Sequence, residues 1–241
     1  MSIAGGGSAG QKTVVVLGTA TPGGGFPVYG AAFADTVHET EPTLVIEQRN
    51  TKGSTENVPL LEAGQLDIAL VQGEVAHEAF NGIGRSPADL KIVAAMYSTP
   101  GMFVVRADSP HRRVHDLRGK PVAFGARGSG LVILAKYVLD GLGLDQERDF
   151  QAVYVPAGAY PGLEAPLASV GSWSFVLARP DLPDGVVHRL ARALHRGEAA
   201  LAGRLPQARE TTAANTLAAA PRTDRIHPGV LRYLREVGVA R

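Results

Sequence analysis

Short apolar runs separated by glycine-rich or polar turns organise the first half of the chain. The runs with the length and composition of buried strands are Thr13–Gly18, Thr43–Arg49, Ile68–Val71, Lys91–Tyr97 and Met102–Arg106. Between them, apolar residues recur at helical spacing over residues 28–40, 56–64 and 74–80. This β-α-β-α-β order predicts an α/β fold with a parallel, doubly wound sheet.

The second half of the chain repeats this alternation. Its strand candidates are Pro121–Phe124, Phe150–Val155 and Ala168–Leu177. Its helix candidates are Leu131–Leu142, Pro183–Leu205, Thr211–Ala219 and Pro228–Val237, the last entered through His227.

Two strand ends resemble each other. Met102–Arg106 leads into Ala-Asp-Ser-Pro, and Phe175–Leu177 leads into Ala-Arg-Pro-Asp-Leu-Pro. We expect Met102–Arg106 to lie beside Ser174–Leu177 as a pair of strands that crosses between two lobes. Chance similarity between strand ends is the alternative.

Composition narrows the function classes. The 241 residues carry a net charge of +1, which gives no support for a nucleic-acid or acidic-membrane partner. The absence of cysteine excludes disulfides, thiolate metal sites and a cysteine nucleophile. Residues 1–12 are rich in Gly, Ser and Ala and are predicted to be disordered. They lack the pattern of a signal peptide, and we interpret them as a stub left after signal removal, with a cytosolic protein as the alternative.

Three loops share one layout, in which a strand ends, small residues follow and a helix starts. They span residues 18–30 (GTATPGGGFPVYG), 50–57 (NTKGSTEN) and 125–130 (GARGSG). Helix starts offer unpaired N–H groups and partial positive charge, and glycine lets the backbone approach a ligand. Such loops bind phosphate or carboxylate. The pattern predicts an anion site at the carboxyl ends of the strands.

Nucleotide-binding and catalytic patterns are missing. No stretch fits G-x-x-x-x-G-K-[ST], and Ala20 stands where G-x-G-x-x-G needs its second glycine. Ser129 does not sit in G-x-S-x-G, and the seven histidines show no metal-ligand spacing. The carboxylates Glu56, Glu74 and Glu78 are predicted to be solvated. We therefore expect a protein that is not an enzyme and has neither a metal nor a cofactor.

An ordered set of motifs resembles the TAXI-type solute receptors of tripartite ATP-independent periplasmic (TRAP) transporters. The matching stretches are residues 18–24 (GTATPGG), 51–57 (TKGSTEN), 67–72 (DIALVQ), 105–108 (VRAD), 116–120 (DLRGK), 128–130 (GSG), 156–162 (PAGAYPG), 227–229 (HPG) and Tyr233. The resemblance covers nearly everything after Lys12.

This resemblance implies a periplasmic receptor of the type II topology, with two lobes of parallel-rich sheets joined by a two-strand hinge. The larger lobe is expected from Lys12–Arg106 and Ser172–Arg241, and the smaller one from residues 107–171. The expected ligand is a small organic anion (a dicarboxylate, keto acid or amino acid), and the expected partner is a TRAP permease in the membrane.

The loops and the resemblance together predict the binding residues. Gln72 and Tyr97 are expected to hydrogen-bond from strand ends, with ordinary rim packing as the alternative. The predicted ligand-binding residues are Thr21, Gly24, Gly25, Phe26, Gly53, Ser54, Thr55, Asn57, Gln72, Tyr97, Arg127, Gly128 and Ser129.

The chain departs from the family pattern at several places. Phe26 replaces a usual tyrosine, Lys52 a glycine and Leu131 a threonine. Val155 is followed directly by Pro156, whereas the family that the chain resembles normally has several dozen further residues of the second lobe at this point. A shortened lobe leaves a sheet edge open, so we expect weak ligand binding or a homodimer that covers the edge. The alternatives are a receptor that no longer binds ligand and serves as an interaction protein, and an α/β enzyme that acts on an anionic metabolite.

Overall fold

A computed structural model describes residues 12–117, 128–141, 151–155 and 167–241. Several expectations fall outside these ranges. They are the disordered start at residues 1–11, the strand Pro121–Phe124, the side chain of Arg127 and the segment that follows Val155.

The strands form one mixed sheet in which parallel pairing is prominent. They are β1 (Thr13–Gly18), β2 (Leu44–Arg49), β3 (Ile68–Val71), β4 (Lys91–Pro100), β5 (Gln151–Val155) and β6 (Leu167–Ala178). The order is β2-β1-β3-β6-β4, and β5 also pairs with β6. Strand β1 is parallel to β2 and β3, whereas β6 is antiparallel to β3, β4 and β5. The predicted α/β class with a parallel-rich sheet is confirmed, and β6 is the antiparallel strand within it.

Helices follow most of the strands and cover both faces of the sheet. They are α1 (Gly25–Thr40), α2 (Ser54–Glu62), α3 (Gly73–Asn81), α4 (Gly130–Asp140), α5 (Asp184–Arg196), α6 (Glu198–Arg204), α7 (Ala213–Ala219) and α8 (Pro228–Glu236). Within the described ranges, no helix combines the length and the apolar character needed to cross a membrane.

Strand β3 shows why the sheet is buried on both sides. Ile68 and Leu70 belong to one apolar cluster, which also contains residues of β1, α1, α5 and α8. Ala69 and Val71 belong to a second cluster, which contains residues of α2 and α3. Because successive side chains of a strand point to opposite faces, a strand covered on both faces is a continuous apolar run.

Strand β6 pairs with a different neighbour from the one expected. Strand β6 pairs with β4 from Lys91↔Ala178 to Pro100↔Gly171, so β4 continues three residues beyond Tyr97. The prediction of a strand at Met102–Arg106 is wrong: residues 101–106 form no strand, and Val104 is 88% exposed. The first part of β6 pairs with β5 instead, with Leu167 opposite Val155.

The long helix expected over Pro183–Leu205 is two helices. Helix α5 ends at Arg196 and α6 begins at Glu198, with Gly197 between them. A Cβ atom on Gly197 would lie 2.3 Å from Cγ2 of Thr36 on α1. The break therefore lies where α1 passes close to the connecting backbone.

Candidate functional site

A cavity of about 390 Å³ lies where the first turns of several helices meet the end of β4. Its walls come from the loop before α1, the loop before α2, the end of β3, the last part of β4 and the start of α4. The lining residues are Ala20, Thr21, Pro22, Gly24, Gly25, Phe26, Lys52, Gly53, Ser54, Gln72, Tyr97, Thr99, Ser129, Gly130 and Leu131.

The N-cap residues of four helices line this one cavity. They are Gly24 of α1, Gly53 of α2, Gln72 of α3 and Ser129 of α4. The first N–H groups of a helix have no acceptor within the helix, and the helix dipole adds partial positive charge at this end. The cavity therefore has the electrostatic character of an anion site without relying on basic side chains.

The first loop turns sharply so that its small residues face the cavity. Gly23 has a φ of +86°, and the N–H of Gly24 donates to the carbonyl of Thr21 over 3.2 Å. Tyr97 lies opposite, with its hydroxyl 3.6 Å from the position a Cβ atom on Gly25 would take. Burial raises the pKa of Tyr97 to about 12, so its hydroxyl keeps its proton and is able to donate a hydrogen bond.

The second and third loops contact each other directly. The Thr55 hydroxyl donates to the carbonyl oxygen of Gly128 over 3.0 Å, and the Thr55 N–H donates to the same oxygen over 3.4 Å. Gly53 has a φ of +118°, and a Cβ atom there would lie 3.0 Å from the Gly128 oxygen. Thr55 and Gly128 thus join the two loops, while Gly53 and Ser129 line the cavity.

Gln72, which directly follows β3, is in close contact with the start of α2 and the start of α4. Its N–H donates to the Ser54 hydroxyl over 3.0 Å. A Cβ atom on Gly130 would lie 2.7 Å from the Gln72 Oε1 and 3.0 Å from the Ser54 Oγ. Only glycine at this position lets the start of α4 approach so closely. The Gln72 side chain is 4% exposed, and its Nε2 has no hydrogen-bond partner among the described residues.

The predicted site residues divide into four groups. Those that line the cavity are Thr21, Gly24, Gly25, Phe26, Gly53, Ser54, Gln72, Tyr97 and Ser129. Thr55 and Gly128 form the loop contact, and Arg127 is outside the described residues. Asn57 is fully buried, and its Nδ2 donates to the carbonyls of Thr19 and Leu70, both over 2.8 Å. The Asn57 side chain therefore ties the ends of β1 and β3 together beneath the loops.

Several lining residues were not among the predicted ones. They are Ala20, Pro22, Lys52, Thr99, Gly130 and Leu131. Thr99 was missed because β4 was expected to end at Tyr97. Gly130 is the last residue of the GARGSG loop, so the loop pattern itself was the available signal.

Glu74 corrects the expectation of a solvated carboxylate. It is 3% exposed, because the first turn of α3 packs against β6: a Cβ atom on Gly73 would lie 2.3 Å from the Trp173 carbonyl oxygen. Burial raises the pKa of Glu74, although the nearby Ser172 and Gln72 side chains act in the opposite direction. Neither carboxylate oxygen has a hydrogen-bond partner among the described residues. In the described part of the chain, no three His, Asp or Glu side chains are grouped as metal ligands.

Several solved structures of low sequence identity have a similar fold. A protein of Bordetella bronchiseptica RB50 matches with a TM-score of 0.54 and 13% identity, over 94% of this chain and 98% of the other. A structure described as a periplasmic transporter matches with a TM-score of 0.52 and 12% identity, over 96% and 94%. The periplasmic binding protein BugD matches with a TM-score of 0.51 and 13% identity, over 94% and 98%. At these identities, the similarity establishes the fold.

A family model covers nearly the whole chain. The model of the NMT1-like family matches residues 17–155 and 144–238, which include the cavity loops, the sheet and the helices that follow β6. This chain therefore belongs to the NMT1-like family.

Proposed function

We propose that this protein is a solute-binding receptor that holds a small organic anion in the cavity at the helix starts. The observation that carries the proposal is the convergence of four N-cap residues, Gly24, Gly53, Gln72 and Ser129, on one cavity. One helix start is a weak site, but several that surround one space add their partial charges at a single point.

The lining also suggests the shape of the ligand. Among the described lining residues, Lys52 is the one charged side chain, and it is exposed at the cavity. Phe26, Tyr97 and Leu131 supply aromatic and apolar surface on the remaining walls. This combination favours a ligand with one anionic group at the helix starts and a compact carbon skeleton, such as a small keto acid, dicarboxylate or amino acid.

A transport role is the setting that best explains such a site. BugD is described as a periplasmic binding protein, and another structure with this fold is described as a periplasmic transporter. These descriptions support the proposal that the protein acts in the periplasm as the receptor of a membrane permease. The TAXI type of receptor and a TRAP permease are the finer proposals, and the ordered motifs from GTATPGG to HPG support them.

The two-lobed arrangement remains part of the proposal. Strands β4 and β6, paired from Lys91↔Ala178 to Pro100↔Gly171, are the candidates for the hinge. The two stretches matched by the family model overlap at residues 144–155, close to the direct join of Val155 to Pro156. This supports a shortened second lobe, and with it the alternative of an interaction protein or homodimer. Val104, 88% exposed, is available apolar surface for such a contact.

A thermal-shift screen over small carboxylates tests the proposed function. A ligand that binds only the folded state raises the melting temperature as its concentration increases. We expect at least one keto acid, dicarboxylate or amino acid to do so, and calorimetry then gives its affinity. If none of these compounds shifts the melting temperature, the non-binding alternative is favoured.

A pair of glycine variants locates the binding site. Gly130→Ala places a methyl group against Gln72 and Ser54, so we expect affinity for the ligand to fall by about tenfold or more, equivalent to about 1.4 kcal/mol. Gly185→Ala, in the first turn of α5, adds the same methyl group where no atom lies within 4 Å. Gly185→Ala should bind as the unmodified protein does. Equal affinities in both variants would place the ligand elsewhere.

A further inference from the structure

A second group of polar residues lies behind the cavity wall, away from solvent. It consists of Gln72, Glu74, Ser172 and Ser174, which are 4%, 3%, 6% and 0% exposed. In each of them a buried polar atom lacks a hydrogen-bond partner among the described residues: the Gln72 Nε2, both Glu74 carboxylate oxygens and the two serine hydroxyls. We call this group the buried polar cluster.

The sheet register brings the cluster together. Strand β3 pairs antiparallel with β6, with Val71 opposite Phe175. Continuing this register places Gln72 beside Ser174, and a Cβ atom on Gly73 would lie 2.8 Å from the Ser172 Oγ. Ser172 and Ser174 lie on the same face of β6, since alternate residues of a strand share a face.

Glu74 joins the cluster from the first turn of α3. Burial raises the pKa of Glu74, and the Ser172 hydroxyl and the Gln72 side chain act in the opposite direction, so both groups lie close to the carboxylate. No salt bridge among the described residues reaches Glu74. A buried carboxylate without a cationic partner is costly, and proteins neutralise it with a proton or a cation.

The neighbouring hydroxyls favour a cation over a proton. A proton on Glu74 removes the charge but adds no partner for both serine oxygens. A small cation could take the carboxylate and the hydroxyl oxygens as ligands together, because hard cations prefer oxygen ligands. One carboxylate balances one positive charge. The four lone-pair positions of the carboxylate also leave room for a hydrogen bond from the Gln72 Nε2.

We propose that the buried polar cluster binds one monovalent metal cation of the Na⁺ type, held by Glu74, Ser172 and Ser174. The site is separate from the cavity but adjoins it through Gln72, which belongs to both. It does not depend on the identity of the organic anion, and it is testable without that ligand.

Thermal unfolding of the whole protein in different chloride salts tests the cation site. At constant pH and ionic strength, NaCl replaces the chloride of a bulky organic cation, N-methylglucamine, which is too large for a buried site. We expect the melting temperature to rise with Na⁺ concentration and then to follow the logarithm of the concentration above the dissociation constant. Equal melting temperatures in the two salts would overturn the proposal, as would a melting temperature that depends on pH but not on the cation.

Three variants separate the site from general salt effects. Glu74→Gln keeps the shape but removes the charge, so the Na⁺-dependent shift should disappear. Ser174→Ala removes one oxygen ligand and should move the Na⁺ response to higher concentration, which is informative even if Glu74→Gln folds poorly. Glu47→Gln, at an exposed position on β2, is the matched control and should keep the full shift. A Na⁺ shift that persists in Glu74→Gln would also overturn the proposal.

Discussion

At the scale of single residues, glycine and a few buried polar side chains determine how closely the loops approach each other. Gly53, with a φ of +118°, and Gly128, with a φ of +89°, adopt backbone conformations that other residues rarely take. They bring the starts of α2 and α4 into direct hydrogen-bonded contact through Thr55. The loop pattern in the sequence singled out these glycines, and the structure brings both of them to the contact between the two loops; their role in ligand binding stays a prediction.

Other residue-level features were beyond sequence reasoning. Asn57 follows the GST motif and was predicted to bind ligand, yet both of its amide N–H bonds are directed to the Thr19 and Leu70 carbonyls. Glu74 was expected in solvent, yet it is buried against β6. Both outcomes depend on contacts between elements that are distant in the chain, which residue spacing does not encode.

His227 is a residue whose predicted role at a helix entry is confirmed. It is the N-cap of α8: its Nδ1 accepts from the Gly229 N–H over 3.1 Å, and its Nε2 donates to the Leu182 carbonyl over 3.0 Å. The ring is 0% exposed, and burial lowers its pKa despite the opposing charge of Asp184. Protonation at Nδ1 would remove the acceptor that caps the helix.

We predict that His227 makes the protein less stable in mild acid. Because the folded-state pKa is lowered, the unfolded state binds the extra proton first, so the free energy of unfolding falls as the pH drops through the usual imidazole pKa of about 6.5. Urea denaturation between about pH 5 and about pH 8 measures this dependence. The loss of the helix cap is expected to contribute about 1 kcal/mol.

Two asparagine variants isolate the contribution of His227. His227→Asn retains a side-chain acceptor for the cap but does not titrate, so its stability should vary less with pH. His38→Asn changes an exposed histidine in the last turn of α1 and should leave the pH dependence as it is. The same slope in His227→Asn and in the unmodified protein would contradict the assignment.

At the scale of elements, the starts of helices were more predictable than the ends of strands. The βα loops and their small residues indicated where α1, α2 and α4 begin, to within a few residues. Strand β4 was predicted to end at Tyr97, because Ser98, Thr99 and Pro100 have the composition of a turn. In the structure these three residues belong to the strand and pair with Gly171–Trp173 of β6. Pairing with a long neighbour overrides local preference, and Pro100 is tolerated because it ends the strand.

The break between α5 and α6 gives a prediction at this scale. Gly197→Ala would place a methyl group within 2.3 Å of the Thr36 Cγ2, so α1 or the connection must move. We expect this overpacking to lower the free energy of unfolding by about 1–3 kcal/mol. Gly203→Ala, in α6, has no atom within 4 Å of the added methyl group and should be neutral or slightly stabilising.

Urea denaturation of the two alanine variants, compared at the midpoint, measures this difference. If Gly197→Ala were as stable as Gly203→Ala, the passage of α1 would not be the reason for the glycine. A continuous helix from Asp184 to Arg204 would then be compatible with the same packing.

At the scale of the whole molecule, the α/β class and the parallel pairing of β1 with β2 and β3 follow from alternation of strands and helices. The antiparallel insertion of β6 between β3 and β4 does not, because strand order depends on how distant segments meet. This insertion matters for function. It places Ser172 and Ser174 behind the end of β3, and thus places the buried polar cluster next to the cavity.

Adjacency of the two proposed sites predicts that cation and anion binding are coupled. At a pH where Glu74 is ionised, its charge behind Gln72 repels an anion at the helix starts, and this repulsion is weakly screened because Glu74 is 3% exposed. A cation in the cluster cancels that charge, so we expect the organic anion found in the carboxylate screen to bind about fivefold or more tightly in NaCl than in N-methylglucamine chloride. Calorimetry at equal ionic strength measures the ratio, and linkage requires the anion to raise the Na⁺ affinity by the same factor.

The prediction rests on both proposals, and its controls tell their failures apart. Glu74→Gln lacks the charge, so its anion affinity should be the same in both salts and close to that of the Na⁺-loaded protein. Gly130→Ala should bind the anion more weakly in either salt while keeping the Na⁺-dependent melting temperature. If Na⁺ stabilises the protein but leaves anion affinity unchanged, the cation site stands and the anion lies too far from Glu74 to sense it. If anion affinity depends on Na⁺ equally in Glu74→Gln, the coupling arises outside the buried polar cluster.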